Sequence, residues 1–417
     1  MKLLFLTPQL PYPPHQGTTI RNFHLLAGLA QRHEIALLSF SDGSRRLDDT
    51  PLPDLCYRVR TIPTPPDRSV AQRLITTFLS TQPDMALRLP SDQFQARLEH
   101  WVQAQQFDVV QVEGIEMGQY ALALRKRRLL NDRTQLVFDD HNAEHVLQRR
   151  AFLTDARQPR RWPAAGYSLV QWLKLSCYER EVCQTADQVV AVSETDAQAL
   201  RRLVPGLSPA VVPNGVDVKF FRPDLTDQNH VEPTSLVFTG KMNFRPNVDA
   251  MLWFCDEILP RIRVTRPDVT VTIVGREPHA RVRALAHRPN ITVTGYVDDI
   301  RPYVAGAQVY IVPLRMGGGT RLKLLEAMAM GKAIVSTTLG AEGIAGQSGE
   351  HLILADSPGD FAEAVLSLLT DRDRRQTLGT RARKLAEHEY AWEAIVPRME
   401  ENYSSPQSPI STLKIDG

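Results

Sequence analysis

The 417-residue sequence has only four cysteines, Cys56, Cys177, Cys183 and Cys255, and no CxxC pair among them. Cys177 and Cys183 stand six apart with no histidine cluster to complete a zinc site, so neither a metal knuckle nor a disulfide scaffold organises the chain. Reduced, mostly buried thiols in a cytoplasmic protein are expected. Charge of one sign is also lacking. The 49 Lys and Arg offset 47 Asp and Glu, leaving a formal +2. That gives no global case for nucleic acid, and no such partner is expected. No run approaches the roughly 18 apolar residues of a membrane span. The apolar start, residues 3–6, is cut short by Pro8, Pro11, Pro13 and Pro14, so it is not expected to be an export signal. Repeats and low-complexity tracts are missing as well. Two nucleotide fingerprints fail: Gly331-Lys332 is followed by Ala333, so there is no P-loop, and no GxGxxG follows the first apolar run.

What remains is ordinary globular material, 43% hydrophobic and 23% charged. At about 100–200 residues per domain, two or three domains are expected. Candidate strands at 3–6, 35–40, 107–112, 135–138 and 188–192 alternate with helical patterns. In the first helix, Ile20, Phe23, Leu26, Ala27 and Ala30 mark the expected apolar face. The pattern restarts with strands at 236–239, 269–274, 291–293, 309–312, 333–336 and 352–354. Helices fit 247–263, 281–286, 322–330 and 358–369. Strands separated by helices mean βαβ units and parallel sheets. The expected architecture is α/β: a Rossmann-like domain over 1–212, a linker at 213–225 and a second such domain over 226–385. A last helix, about 373–403, carries Tyr390 and Trp392. Its part from 386 is expected to return to the first domain, with a disordered tail at 404–417. A ligand would sit between the domains at the carboxyl ends of the strands.

The most informative stretch runs from Pro313 through Gly317-Gly318-Gly319-Thr320-Arg321-Leu322-Lys323 to Glu326 and Lys332. A strand ends, glycines follow, and a helix begins near Thr320. Glycines allow close backbone approach. A helix N-terminus offers N–H groups and a positive dipole end, which suits phosphate. Arg321 and Lys323 add charge, and Glu326 can accept from sugar hydroxyls. The bland alternative is a flexible turn with surface cations. Near the N-terminus a proline loop ends at Gly17-Thr18. These two residues either offer N–H groups to the same ligand or form a rigid connector with Thr18 as helix cap.

Taken together, these segments resemble family 4 (group 1) retaining glycosyltransferases of the GT-B fold, in a subfamily with a GGGTRLKLLEAMA donor loop. Residues 313–343 resemble the family's donor-binding helix. Val212–Asp217 resembles its PNGVD segment, Gly240-Lys241 its Gly-Arg segment, and Val297-Asp298-Asp299 its loop near the nucleobase. Ala341-Glu342-Gly343 also fits. The resemblance implies transfer of a sugar from a nucleotide-sugar donor with retention and without a metal. It also implies that Lys241 contacts the diphosphate, that Glu326 binds the ribose, and that His141 faces the donor sugar from the first domain. Arg245, Arg321 or Lys323 would supply the second cation. The first Glu of the family's E-x7-E falls at Gly318 and is missing. Asp371-Arg372-Asp373 is a literal DxD, but it lies between two expected helices and reads as a cap.

The site therefore expected has His141, Lys241 and Arg321 in catalytic roles. Gly17, Thr18, Arg245, Val297, Gly318, Gly319, Thr320, Lys323 and Glu326 would bind the donor, with no metal or other cofactor. Asp140 and Glu144 flank His141. Glu113 and Glu116 either line an acceptor site or are exposed loop carboxylates. His33 reads as structural. The acceptor class implied by the resemblance is a glycan or lipid-linked sugar in polysaccharide, capsule or glycolipid assembly. Two basic clusters, 125–133 and 149–174, the second with Trp162 and Trp172, suit an anionic membrane surface. The competing reading is a solvated helical face over core tryptophans. Two other functions fit less well: a catalytically silent nucleotide-sugar-binding subunit and an NDP-sugar epimerase.

Overall fold

The structure, a computed structural model, describes residues 1–224, 234–319 and 321–404. Two compact units emerge. One is Met1–Pro213 joined by the chain from Ile395 onward, and the other is Asn214–Ala394. Most of the stretch 213–225 thus belongs to the second unit. Leu225, Thr320 and residues 405–417 lie outside the described residues.

The first unit holds a seven-stranded sheet: β1 (Lys2–Thr7), β2 (Glu34–Ser41), β3 (Arg58–Pro63), β4 (Val109–Glu113), β5 (Gln135–Asp140), β6 (Gln188–Ala191) and β7 (Ala210–Val211). The order is β3-β2-β1-β4-β5-β6-β7, with every pairing parallel. Central strands read as unbroken apolar runs because helices cover both faces. Leu3, Leu4, Phe5 and Leu6 are all fully buried. Two strands escaped the sequence reading, the edge strand β3 and the two-residue β7.

The first helix, Gly17–Leu29, does not bury the expected face. Of the five residues named above, only Leu26 is buried. The inward residues are Thr19, Arg21, Asn22, Leu25, Leu26 and Leu29. Nor does Thr18 cap the helix: Gln16 occupies the cap, and its N–H donates to Thr19 Oγ1 (3.0 Å).

The second unit repeats the scheme with β8 (Thr234–Thr239), β9 (Val271–Val274), β10 (Ile291–Gly295), β11 (Ala307–Val312), β12 (Ala333–Ser336) and β13 (Ile353–Leu354). Its parallel order is β10-β9-β8-β11-β12-β13. The long last helix is in fact broken. Arg372–Leu385 ends in a π-helical turn, Ala386–Tyr390. Ala391 then leaves the helix (ψ 141°) and bridges Val216, and Trp392–Ser404 resumes it. Asp371 caps the earlier segment, accepting from Arg374 N at 2.8 Å, so the DxD is a cap. The portion from Ile395 packs on the first unit. Glu400 bonds His33 (2.8 Å), Asn402 takes Gln135 and Gln188, and the Tyr403 hydroxyl bonds Gln111.

Candidate functional site

In the first unit the polar residues gather where β4 and β5 end. Asp139 and Asp140 close β5, and Glu113 closes β4. All three are fully buried. A buried carboxylate needs partners. Helix Gly17–Leu29 supplies two, which explains its polar inner face. Arg21 grips Asp139 with two bonds, Nε to Oδ2 at 2.8 Å and Nη2 to Oδ1 at 2.9 Å, and Nη1 donates to the Pro213 carbonyl. Asn22, its amide nitrogen turned toward the carboxylate, donates to Glu113 Oε2 at 2.8 Å. Gln111 donates to the other oxygen.

The remaining partner of Glu113 is His141, whose Nε2 lies 2.8 Å from Oε2. A buried carboxylate on one ring nitrogen fixes the tautomer and orientation of an imidazole. The other nitrogen, Nδ1, passes over Gly114. A Cβ there would stand 3.5 Å from it, and Gly114 has φ +81°, a conformation side chains avoid. His141 lines a cavity of about 660 Å³ together with Thr18, Arg68, Arg73, Arg88 and Glu116. Three arginines there converge on one buried carboxylate, Asp84: Arg68 at 2.8 Å, Arg73 at 3.2 Å and Arg88 at 4.0 Å. The cavity therefore sets an oriented imidazole beside a wall of three arginines and three carboxylates, Asp67, Asp84 and Glu116. Glu113 is thus no exposed loop carboxylate, whereas Glu116 does line the cavity. Burial, then Asp139, raises the Glu113 carboxyl, and His141 counters.

Asp140 points elsewhere. Burial, then Glu179 and Glu144, pushes its carboxyl well above the usual range. Glu144 is raised to about 8 by burial and neighbouring carboxylates. Glu113, Asp139 and His141 lie close enough together to hold an ion. Both Asp139 oxygens are already taken by Arg21, and both Glu113 oxygens by amides and His141, so this donor set is satisfied as it stands.

The second unit gathers cations at the ends of β8 and β11. Gly240 follows β8 with φ +149°, and a Cβ there would collide with Lys323 Nζ at 2.7 Å. The conformation therefore favours glycine, and a side chain there would displace the Lys323 ammonium and the Asn247 amide. Lys323, from the first turn of helix Leu322–Ala329, places its ammonium against Asn247 Oδ1 (2.8 Å) and over the Phe238 ring (4.2 Å). Asn247 in turn donates to the Lys241 carbonyl (2.9 Å). Arg321 is buried, not a surface cation, and donates to the Gly318 carbonyl at 2.6 Å. Gly317 and Gly319 both take positive φ. Burial, then Arg321, lowers Lys323 to about 7. Burial raises Glu326 to about 7, opposed by Lys323.

Asn247 thus links the Lys241 backbone to Lys323, Arg321 closes on Gly318, and Lys323 feels both Arg321 and Glu326. The Lys241 side chain itself is exposed and pairs with Glu277 at 3.5 Å. Arg245 stands exposed at the start of helix Arg245–Trp253. Val297 packs at the edge of the core cluster that also takes Leu322. Gly17 is exposed at its helix start, while Thr18 reaches the His141 cavity. Thr320 lies outside the described residues. The sequence reading missed Arg21, Asn22, Asp139 and Asn247. An Arg-Asn pair within an apolar helical stretch was the available signal for the first two.

Comparison with known proteins now defines the class. A family model described as Glycosyltransferase Family 4 matches residues 16–220, and one described as Glycosyl transferases group 1 matches residues 233–371. The chain is a glycosyltransferase of the group 1, family 4 type, with the α/β GT-B fold. Neither match points to an epimerase.

Individual relatives are more distant. A 44.6 kDa Klebsiella pneumoniae protein in the cps region is 22% identical, over 88% of this chain and 90% of its own. The phosphatidyl-myo-inositol mannosyltransferase of Mycolicibacterium smegmatis is 28% identical, over 51% of this chain and 56% of its own. Among solved structures, sucrose-phosphate synthase from Thermosynechococcus elongatus aligns over 97% of this chain and 98% of its own, with a TM-score of 0.71 at 18% identity. Anabaena HepE in complex with UDP and glucose gives 0.67 at 15% identity, over 97% of this chain and 100% of its own. At such identities the structural likeness concerns the fold.

Proposed function

We propose that the protein transfers a sugar, with retention and without a metal, from a nucleotide-sugar donor to a glycan or lipid-linked acceptor. The observation that carries this reading is the way Lys323 is held. Its ammonium is held by two neutral groups, an amide and an aromatic ring, beside buried Arg321 at a helix start. Cations so held at a helix start suit a diphosphate. Lys241 and Arg245, both exposed in the segment after β8, would add charge, and Glu326 would accept from the ribose.

As the bond from the anomeric carbon to the diphosphate breaks, charge grows on the leaving phosphate. Arg321, Lys323 and the helix start stabilise it. The acceptor oxygen bonds the same face of the anomeric carbon, and its proton passes to the departing phosphate oxygen. His141 gives its Nε2 proton to Glu113, which leaves Nδ1 as an acceptor for a sugar hydroxyl near the developing positive charge. The cavity beside His141, with its wall of arginines and carboxylates, takes the acceptor. Capsule, exopolysaccharide or glycolipid assembly in the cytoplasm fits this chemistry.

Peripheral membrane contact belongs to the same reading. No helix among the described residues is long and apolar enough to cross a membrane. In the cluster 125–133, Arg125 is paired with Asp187 and Arg127 with Glu99, so the weight falls on 149–174.

The test is a thermal-shift panel of UDP, GDP, ADP and CMP with their sugar conjugates, with and without Mg²⁺. A ligand that binds only the folded protein raises its melting temperature. One nucleotide hit independent of Mg²⁺, followed by turnover with an acceptor, is expected. No hit with any nucleotide would remove the donor site, and a hit without turnover would favour a silent binding subunit.

A further inference from the structure

Helix Val70–Leu79 is built inside out. A surface helix normally turns its apolar stripe to the core. Here Val70, Leu74, Ile75, Phe78 and Leu79 face outward, with Phe78 79% and Leu79 83% exposed. The inner face is polar and is secured by polar bonds. Arg73 reaches Asp84 and the Tyr167 hydroxyl (3.2 Å). Gln171 donates to Thr77 Oγ1 (2.9 Å). Lys174 Nζ donates to the carbonyls of Thr77 (2.6 Å) and Ser80 (2.5 Å), a cation on the helix C-terminus. These anchors leave the apolar face no inward option. A contiguous apolar patch of this kind marks an interaction surface.

We infer that this helix, with the adjoining face of helix Trp162–Thr185, is the surface by which the protein sits on an anionic lipid bilayer. Charge complementarity selects that occupant. Segment 149–174 holds six cations against one carboxylate, Asp155, which is buried and paired with Arg161. Arg149, Arg157 and Arg160 are exposed. Trp162, a core residue only on the competing reading, is 64% exposed, and Leu173 is exposed on the same helix. Exposed aromatic and aliphatic side chains rimmed by arginine suit the boundary between headgroups and acyl chains. Arg73 and Arg68 line the His141 cavity, so docking through this helix sets the cavity beside the headgroup layer. Resting on the transferase reading, this assigns the acceptor to the lipid-held class.

The test uses the full chain with phosphatidylcholine vesicles and with vesicles of phosphatidylcholine and phosphatidylglycerol. Wild type is expected to pellet with the anionic vesicles and to be partly released by salt. The double variant Phe78→Ser/Leu79→Ser should bind at least about ten-fold more weakly, since two large apolar contacts are lost. Its melting temperature and nucleotide-induced shift should stay at wild-type values. Arg157→Gln/Arg160→Gln should weaken binding to anionic vesicles only. Absence of wild-type pelleting, or equal pelleting of the double variant, would overturn the inference. So would sedimentation showing a wild-type dimer that the double variant abolishes, because a second copy would then cover the helix. Vesicle binding without any nucleotide shift would keep the docking surface and sink the transferase reading.

Discussion

The two units hold their charged residues by opposite means. In the first, the charges beside helix Gly17–Leu29 and the His141 cavity meet opposite charges, Arg21 on Asp139, His141 on Glu113 and three arginines on Asp84, while Asp140 stands among carboxylates. In the second, Lys323 is held by Asn247 and Phe238, both neutral. A fully paired charge is a fixed strut or an oriented acid–base group. A cation held by neutral groups keeps its field for a ligand and is pushed toward losing its proton when none is there. On the proposed reading, the contrast separates a unit that orients from a unit that binds an anion.

The sharpest way to break this comparison is to remove the oriented group. His141→Ala is expected to lower kcat by about 10²–10³-fold, the usual range for removing one preorganised hydrogen-bonding group from the transition state, with little change in nucleotide affinity. Glu113→Gln should act in the same direction but less, while altering the pH profile. Steady-state kinetics with parallel thermal shifts would decide. A loss of nucleotide binding in His141→Ala would contradict the division of labour.

Stability tests the strut half. Arg21→Met strands Asp139 in the core, and breaking a buried pair costs about 3–5 kcal/mol. The matched control is Arg315→Met, whose bidentate partner Asp249 is only partly buried. Partly exposed pairs contribute about 0–1 kcal/mol. Urea unfolding of both variants should show a large gap between them, and equal losses would erase the distinction.

Lys323→Gln probes the other half. Removing a charge-assisted bond to the ligand costs about 1.5–3 kcal/mol, or roughly 10–100-fold in donor affinity. Folding stability should hold or rise, because a costly buried charge is removed. Calorimetric titration with the nucleotide sugar found by thermal shift is the measurement.

Much of this was legible in the sequence, and the exceptions have physical causes. Buried parallel strands announce themselves as apolar runs, so β1, β2, β4, β5 and the strands of the second unit stood out. The edge strand β3 alternates Arg58, Val59, Arg60, Thr61 and Ile62, and such a half-exposed strand lacks that signal. The face of helix Gly17–Leu29 was misjudged because periodicity assumes that apolar residues point inward. Arg21 and Asn22 point inward to serve Asp139 and Glu113, partners more than 90 residues away that local pattern cannot reveal. Helix Val70–Leu79 inverts the same assumption from the other side. The cations around Gly240 and Lys323 were readable because glycines and cations sit in short contiguous segments. Asn247, which joins Lys241 to Lys323, carries no such mark.

The smallest effect is also the most specific to the comparison. Lys323 lies at about 7 in the ligand-free protein, lowered by burial and by Arg321. It is therefore charged at about pH 6 and mostly neutral by about pH 8.5, an interval in which an ordinary lysine stays charged. The diphosphate of a nucleotide sugar does not titrate there, so any change belongs to the protein. Affinity for the donor should be flat below about pH 6.5 and fall above it, by at most ten-fold per unit and in total about three- to ten-fold. Glu326, raised to about 7, acts in two ways as it ionises. Its new charge repels the diphosphate, but it also favours the charged form of Lys323 beside it, which softens the fall. Glu326→Gln should therefore move the onset of the fall to lower pH. Lys323→Gln should bind weakly with only the shallow slope that Glu326 imposes. A wild-type affinity that is constant from about pH 6 to pH 9 would mean that the anion does not sit against Lys323, and the contrast between the units would lose its functional meaning.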